Sequence, residues 1–431
     1  MSKVFRVFPN SPPAPIISKG DGVYLFTKDG RRLLDMTGGS TSYAILGWSH
    51  PEVISAMQKQ LHRFGHVDYK VWSDENVELL ADLLLSKAEH SLDRIYFSGN
   101  SGSEACEAAM KISYQVHQDQ GKKEKKWFIS RMQSYHGSTS DALVLGERPN
   151  LEFYRKMLSP FRARIPMHHP LYLMKDGESL DAYAWRSAQQ LEDKILEIGP
   201  EKVCGFVGET IMGGLVGDVP PAPNYWKYIR QVCDSYDVHL ILDEVYCGTG
   251  TTGKIYCCDW DGVTPDFLFI GKTLAAGYGA LSAVITSSKI ENVIKSIQGR
   301  LQHTTTYQAH SLSVAAALAV QSIVHDAGFL ENVIRLGNFI RGMILDQLGS
   351  HQYFRDLRGR GLRFSLEYQC RNREEFSELL AKRMLENHGI IISAKWHRVC
   401  FTPPLILSTS QAEESVEKFI LEFKQLANEW S

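Results

Sequence analysis

The 431-residue chain has almost no excess of charge of either sign. Lys and Arg total 47 against 49 Asp and Glu, and the net charge of −2 offers no basic field for nucleic acid or an anionic membrane. No apolar run approaches the roughly 20 residues of a membrane-spanning helix, and Val314 to Val320 is only a short interruption. The opening MSKVFRVFPNSPPAP lacks the apolar core of a secretory signal. Eight cysteines form no C-x-x-C, and Cys257-Cys258 has no second pair to complete a zinc site, so no metal is expected. Thiols scattered in this way suit small buried groups in a reducing compartment, and the chain reads as cytoplasmic. Repeats and low-complexity linkers are missing too. At about three times the usual domain length of roughly 150 residues, and 44% hydrophobic with 22% charged, the chain has the make-up of a large globular enzyme.

What is present is a change of texture along the chain. Residues 1–20 are polar and proline-rich, an arm expected to lie over a surface. VYLFTKDGRRLLD (23–35) alternates around Asp29-Gly30, the signal of a hairpin. From about residue 60, helical spacings alternate with short continuous apolar runs at 94–98, 126–130, 203–208, 238–242, 266–270 and 281–286. Strands apolar on both sides belong in a parallel sheet covered by helices on both faces. Helical spacing is clear over 104–118 and 225–236. GKKEKK (121–126) reads as a solvated loop. The last helix is expected to begin near Ser410, with Ser410 and Glu413 as a capping box. Three regions follow: an arm and part of a small domain over 1–60, a large α/β domain over 61–330, and a small α+β domain over 331–431.

Several chemically capable residues fall just beyond the C-terminal ends of the apolar runs, where open α/β sheets bind ligands. Asp243 follows run 238–242, and Lys272 follows run 266–270. Desolvation lowers the pKa of a buried lysine and makes it a nucleophile; taken alone, Lys272 reads as a surface lysine in a loop. Ser101-Gly102-Ser103 precedes a helix, where small residues and the helix dipole suit an anion. Tyr135-His136-Gly137 follows 126–130, and Glu209 ends 203–208. Gly248-x-Gly250-x-x-Gly253 spells a dinucleotide fingerprint but follows the acid and opens no long helix, so it is a chance match. An anion cradle, an aromatic, two acids and a lysine on one sheet edge are the groups that pyridoxal 5′-phosphate would use.

These residues also carry a resemblance. SGSEACEAAMK (101–111), YHG (135–137), LILDEVYCGTGTTG (240–253), GKTLAAGYGALSAV (271–284), HTTTYQAHSLSVAAALA (303–319), RGRGL (358–362) and PPL (403–405) resemble the class III pyridoxal-phosphate aminotransferases. The resemblance implies a fold-type-I architecture, with a mostly parallel seven-stranded sheet in the large domain and a small α+β domain from both chain ends. It implies a homodimer with shared active sites. Lys272 would be the Schiff-base lysine and proton carrier, and Asp243 would protonate the pyridine nitrogen. Tyr135 and Val245 would sandwich the ring, with His136 beside it, and Ser101, Gly102 and Ser103 would hold the phosphate. Thr306 would reach that phosphate from the partner subunit, and Glu209 would stand near the substrate.

Departures from the family pattern fall on the substrate side. Tyr246-Cys247 replaces Q-T after D-E-V, and Cys400 stands where many members have an arginine three residues before P-P-L. Arg398, on the same face of a strand as Cys400, either substitutes as a carboxylate grip or faces solvent. Trp72, in VDYKVW, is a candidate substrate-side aromatic or a core residue. The expected activity is transfer of an amino group from an amine or amino acid to an oxo acid in two half-reactions; a racemase or epimerase on the same fold is the alternative. The donor is expected to carry its amine away from any carboxylate, with a small oxo acid such as pyruvate as acceptor.

Overall fold

The structure is a computed structural model and describes residues 3–8, 10, 14–86 and 88–430. Of the expected N-terminal arm, residues 1–2, 9 and 11–13 lie outside the described residues. Three sheets organise the described residues. The first hairpin runs from β1 (Ile17–Asp21) through β2 (Tyr24–Thr27) to β3 (Arg32–Asp35). The central strands are β4 (Arg94–Gly99), β5 (Trp127–Arg131), β6 (Arg162–Ile165), β7 (Val203–Glu209), β8 (His239–Asp243), β9 (Phe267–Ile270) and β10 (Ser282–Thr286). They form a seven-stranded sheet in the order β4-β10-β9-β8-β7-β5-β6. The last strands are β11 (Phe354–Arg360), β12 (Arg363–Tyr368), β13 (Ile390–Ile391), β14 (Ser393–Lys395) and β15 (Arg398–Phe401).

The central sheet has the double burial that its apolar runs predict. Every residue of β7, β9 and β10 is buried. Alternate side chains of β9 serve opposite faces: Phe267 and Phe269 pack with Ala105, Ala108 and Ala109 of helix Gly102–Asp119, while Leu268 and Ile270 join the core on the other face. The alanine-rich face lets that helix lie close under the strands. Helices Leu180–Ile198 and Tyr225–Ser235 cover the opposite face.

Four local expectations change. Strand 281–286 joins the sheet as β10, but it is antiparallel to both β4 and β9; burial on two faces gives the same apolar run in either direction. Strand β6, RARI, has no such run because it lies at the sheet edge. GKKEKK is not wholly solvated: Lys125 is buried, and its ammonium donates to the carbonyls of Val203 at 2.9 Å and Asp237 at 2.8 Å. The last helix, Thr409–Glu429, is capped by Ser408, not Ser410, with Gln411 completing the reciprocal box. Leu407 before the cap and Ala412 at the fourth helical position are both buried, the two positions of a hydrophobic staple for a helix that starts at Ser408.

The two ends of the chain meet. β13 pairs in parallel with β3, Ile390 opposite Leu34 and Ile391 opposite Asp35. β11, β12, β15 and β14 make a separate antiparallel sheet beside it. Among the described residues no single helix is long and apolar enough to cross a membrane.

Candidate active site

A cavity of about 820 Å³ lies beyond the C-terminal ends of β5, β7, β8 and β9. Ser101, Gly102, Ser103, Tyr135, His136, Glu209, Asp243, Val245, Lys272 and Arg398 all line it. Thr306 and Trp72 do not. Thr306 lies on an exposed turn where its carbonyl meets His66 Nε2 at 3.1 Å, and Trp72 is 66% exposed.

Asp243 is fixed on both oxygens. His136 Nδ1 lies 2.8 Å from Oδ2, and the Val245 amide donates to Oδ1 at 3.0 Å. The strand end sets the carboxylate, and the histidine and the following turn set its rotation. His136 Nε2 is buried with no hydrogen-bond partner. Glu244, the next acid, turns the other way. Its carboxylate is fully buried and accepts from the amides of Cys257 and Cys258 and the hydroxyl of Thr210, so it ties down the following segment. The expected chance match at Gly248–Gly253 sits in that segment, where Gly250 and Gly253 press on Val324 and Ile334.

Lys272 emerges from β9 with a φ of 42°, a left-handed conformation that costs a side-chain-bearing residue on the order of 1–3 kcal/mol and persists only where its surroundings enforce it. Burial holds the Lys272 amine below the usual lysine range; Asp243 opposes that effect and the Arg363 guanidinium adds to it. Its ammonium position is 5.4 Å from the Tyr246 ring centroid. Glu209 is pushed up to about 7 by burial, with Asp243 reinforcing and His136 opposing the shift. The site therefore holds a lysine less basic than usual beside a carboxyl less acidic than usual.

The residues fit a planar phosphorylated ring. Ser101 caps the 18-residue helix Gly102–Asp119 without a side-chain cap bond, so the helix's first amide groups face the cavity. A Cβ at Gly102 would meet Val245 side-chain atoms at 2.6 Å, and one at Gly137 would stand 2.5 Å from Ser103 Oγ. Backbone is thereby brought close to the cavity where side chains cannot follow. Tyr135 and Val245 line the same chamber, and the Arg148 guanidinium carbon lies 3.7 Å from the Tyr135 ring centroid. Arg148 was not singled out in the sequence; it sits in an ordinary polar stretch, GERPN, whose only signal is its proximity after folding.

The opposite wall comes from β14 and β15. Arg398 and Cys400 both line it, as alternate residues on one strand should. Arg398 is only 3% exposed, which excludes the solvent-facing reading, and its guanidinium donates to the carbonyl of Leu215. Cys400 Sγ lies 3.2 Å from Ser365 Oγ, whose hydroxyl donates to the buried Asp218 at 2.5 Å. Away from this cavity, the ligand atoms of His90, Cys258 and Asp259 lie within 4.8 Å of one another, a grouping that the spacing of the cysteines does not reveal.

Comparison with known proteins agrees with the geometry. The model of the family described as "Aminotransferase class-III" matches residues 9–422. An uncharacterized aminotransferase of Schizosaccharomyces pombe is 35% identical over 430 residues, covering 96% of this chain and 93% of the relative. A putrescine–pyruvate aminotransferase of Pseudomonas aeruginosa is 29% identical, covering 94% and 90%. Among solved structures, an omega transaminase of Pseudomonas jessenii in complex with PMP superposes with a TM-score of 0.90 at 28% identity, covering 97% of this chain and 94% of that one. These relatives are aminotransferases and transaminases by name, which supports amino transfer as the activity. The chain belongs to the class III aminotransferases and is a fold-type-I enzyme that uses pyridoxal 5′-phosphate to move amino groups.

Proposed function

We propose that the enzyme takes a primary amine whose amino group lies away from any carboxylate, and that a small oxo acid such as pyruvate is the acceptor. The observation that carries this reading is the substrate wall. Cys400 faces the cavity where many family members carry an arginine, and the neighbouring guanidinium of Arg398 is engaged by the carbonyl of Leu215, whereas bidentate gripping of an α-carboxylate takes a guanidinium free to turn both its N–H groups to the substrate. The putrescine–pyruvate relative supports it. Bound here, pyridoxal phosphate would supply an aldehyde to take up the amino group and a ring to delocalise the electron pair left at the substrate carbon.

This chain's own residues do the rest. Lys272 holds the cofactor and, with an amine made less basic by burial, accepts and returns the proton of the amine-bearing carbon. Asp243, oriented by His136, keeps the ring nitrogen protonated. Ser101, Gly102 and Ser103 hold the phosphate at the helix N-terminus, while Tyr135 and Val245 orient the ring. Glu209 stands beside the substrate. The division at about residues 60 and 330 belongs to the same reading, with the cofactor floor in the middle region and the strands β14 and β15 of the substrate wall in the last.

The assembly we propose is a cytoplasmic two-fold homodimer in which Thr306 completes the partner's phosphate site. Tyr307 on that turn is an exposed aromatic, and Val71 and Trp72 are further exposed apolar side chains, which supports a covered surface. The deciding experiment is Lys272→Ala, read by single-turnover bleaching of the visible cofactor band with candidate amines. Turnover should fall by several orders of magnitude while the fold is kept; wild-type turnover in the variant sinks the assignment.

A further inference from the structure

Away from the cofactor cavity, one cluster joins the three ligand types that a borderline-soft metal takes. His90 lies in the stretch leading into β4, and Cys258 and Asp259 share the short helical turn Cys257–Trp260. One ring nitrogen of His90, the Cys258 sulfur and a carboxylate oxygen of Asp259 lie within 4.8 Å of one another, and all three residues are buried. His90 is 7% exposed, yet among the described residues neither of its ring nitrogens has a hydrogen-bond partner in another residue. Its ring packs against Tyr256 with centroids 4.8 Å apart, which uses its apolar surface and leaves the nitrogens unanswered. A buried polar atom without a partner carries its whole desolvation cost, and a bound cation would relieve it.

The surroundings suit a cation. Two further acids flank the cluster. The Glu244 carboxylate lies against the same turn and accepts from the amides of Cys257 and Cys258 at 2.6 and 2.7 Å. Glu89 precedes His90, and its carboxylate oxygens lie 2.9 and 3.0 Å from the Lys254 ammonium, so the lysine beside the cluster is already matched by an acid. Burial holds each ligand toward its uncharged form. It lowers the His90 imidazole to about 4, pushes the Asp259 carboxyl up to about 6 with Glu89 reinforcing, and raises the Cys258 thiol well above its ordinary range, with Glu244 and Asp259 adding. A neutral imidazole is the form that ligates, and a divalent ion would draw the thiol and the carboxyl to their ligating forms as well.

We infer that His90, Cys258 and Asp259 bind one Zn²⁺ per chain, with water as the fourth ligand, and that the ion pins the stretch leading into β4 to the turn on which Glu244 rests. A thiolate, an imidazole and a carboxylate together suit zinc, whereas Mg²⁺ and Ca²⁺ take oxygen ligands. The role is structural. Glu244 adjoins Asp243, so the ion steadies the floor of the cofactor cavity from behind and takes no part in amino transfer.

The test uses the cofactor-loaded enzyme, stripped with a chelator and then dialysed against Zn²⁺ or Co²⁺. Elemental analysis should find one equivalent of zinc per chain in wild type. His90→Gln, Cys258→Ala and Asp259→Asn should each weaken binding by at least roughly 10- to 100-fold, the loss that even an outer-shell change brings. His62→Gln, at an exposed histidine of helix Pro51–Arg63, should bind as wild type does. Where Cys258→Ala fails to fold, the two near-isosteric variants carry the comparison, an unchanged cofactor band being the check on folding. Cobalt gives a second reading on wild type alone: a four-coordinate thiolate site absorbs strongly in the red, clear of the cofactor band, and a six-coordinate surface ion does not. Zinc should also raise the Tm of wild type and leave the ligand variants unmoved. No zinc in wild type, cobalt without the red band, or zinc held equally by wild type and the ligand variants (an adventitious ion only) overturns the inference, and each leaves the aminotransferase reading standing.

Discussion

The floor and the wall of the cavity are built by opposite means. The floor is a set of strand ends in one sheet: Asp243 ends β8, Glu209 ends β7, and Lys272 follows β9 by two residues. Its side chains are placed by ladder hydrogen bonds and double burial, which leave little room for variation. The wall is assembled from chain segments far apart in sequence, Ser40–Tyr43, Gly214–Leu215 and Ser393–Thr402, held by carbonyl bonds to arginines and by a buried Ser365–Asp218 contact. The floor serves a cofactor of fixed shape; the wall serves whatever substrate the enzyme has taken. The departures from the family pattern at residues 246 and 400 both touch the wall side of the site.

That contrast can be broken most forcefully at the floor. After Lys272→Ala, the next largest effect is expected from Asp243→Asn, which keeps the shape but withdraws the charge that would stabilise a protonated ring. A loss of roughly 10²- to 10³-fold in kcat is expected, with every donor affected alike. Donor-dependent loss would mean that Asp243 acts on the wall as well. Thr306→Asp would set a carboxylate against the partner's phosphate and should also inactivate. Mixed with inactive Lys272→Ala chains, it should recover partial activity, because one hybrid site per heterodimer is intact. No recovery, with mixed dimers shown to form, would place Thr306 outside the shared site.

Smaller effects sharpen the wall. Cys400→Arg restores the guanidinium that many family members carry and should shift kcat/KM toward glutamate relative to terminal amines by about tenfold, the gain of one charge-assisted contact. An unchanged donor ratio would show that position 400 does not face the substrate. The smallest effect concerns neither surface. Ser408→Ala should cost about 1 kcal/mol in stability, and Ser410→Ala less than about 0.5 kcal/mol. Chemical denaturation distinguishes them, and equal losses would contradict the cap at Ser408.

The same contrast decides what the sequence alone discloses. Asp243, Lys272, Tyr135 and the Ser101–Ser103 turn were legible because continuous apolar runs announce buried strands, and strand ends announce sites. Arg148 was not, since its role depends on a ring that folding brings to it. Arg398 was half legible: alternation put it on the face of Cys400, but only the packing shows that its charge is buried. β6 escaped notice because an edge strand has one side free and so shows no apolar run. Of the competing boxes at Ser408 and Ser410, only the first is flanked at the staple positions by an apolar pair, Leu407 and Ala412, a signal the sequence carries but the box motif alone does not use.

The pairing of β3 with β13 gives this architecture an order in time. Leu34 finds its sheet partner only when Ile390 has been made, some 356 residues later. A chain leaving the ribosome carries the whole central sheet, with Asp243 and Lys272 in place, while the hairpin near its start still has an open edge and the wall around Arg398 does not yet exist. Long-range pairing of this kind is slow because its loop-closure cost comes before its contacts form. The nascent enzyme is thus expected to gain the means to hold its cofactor well before it can choose among amines, and loss of the final segment would leave a protein with a floor and no selectivity.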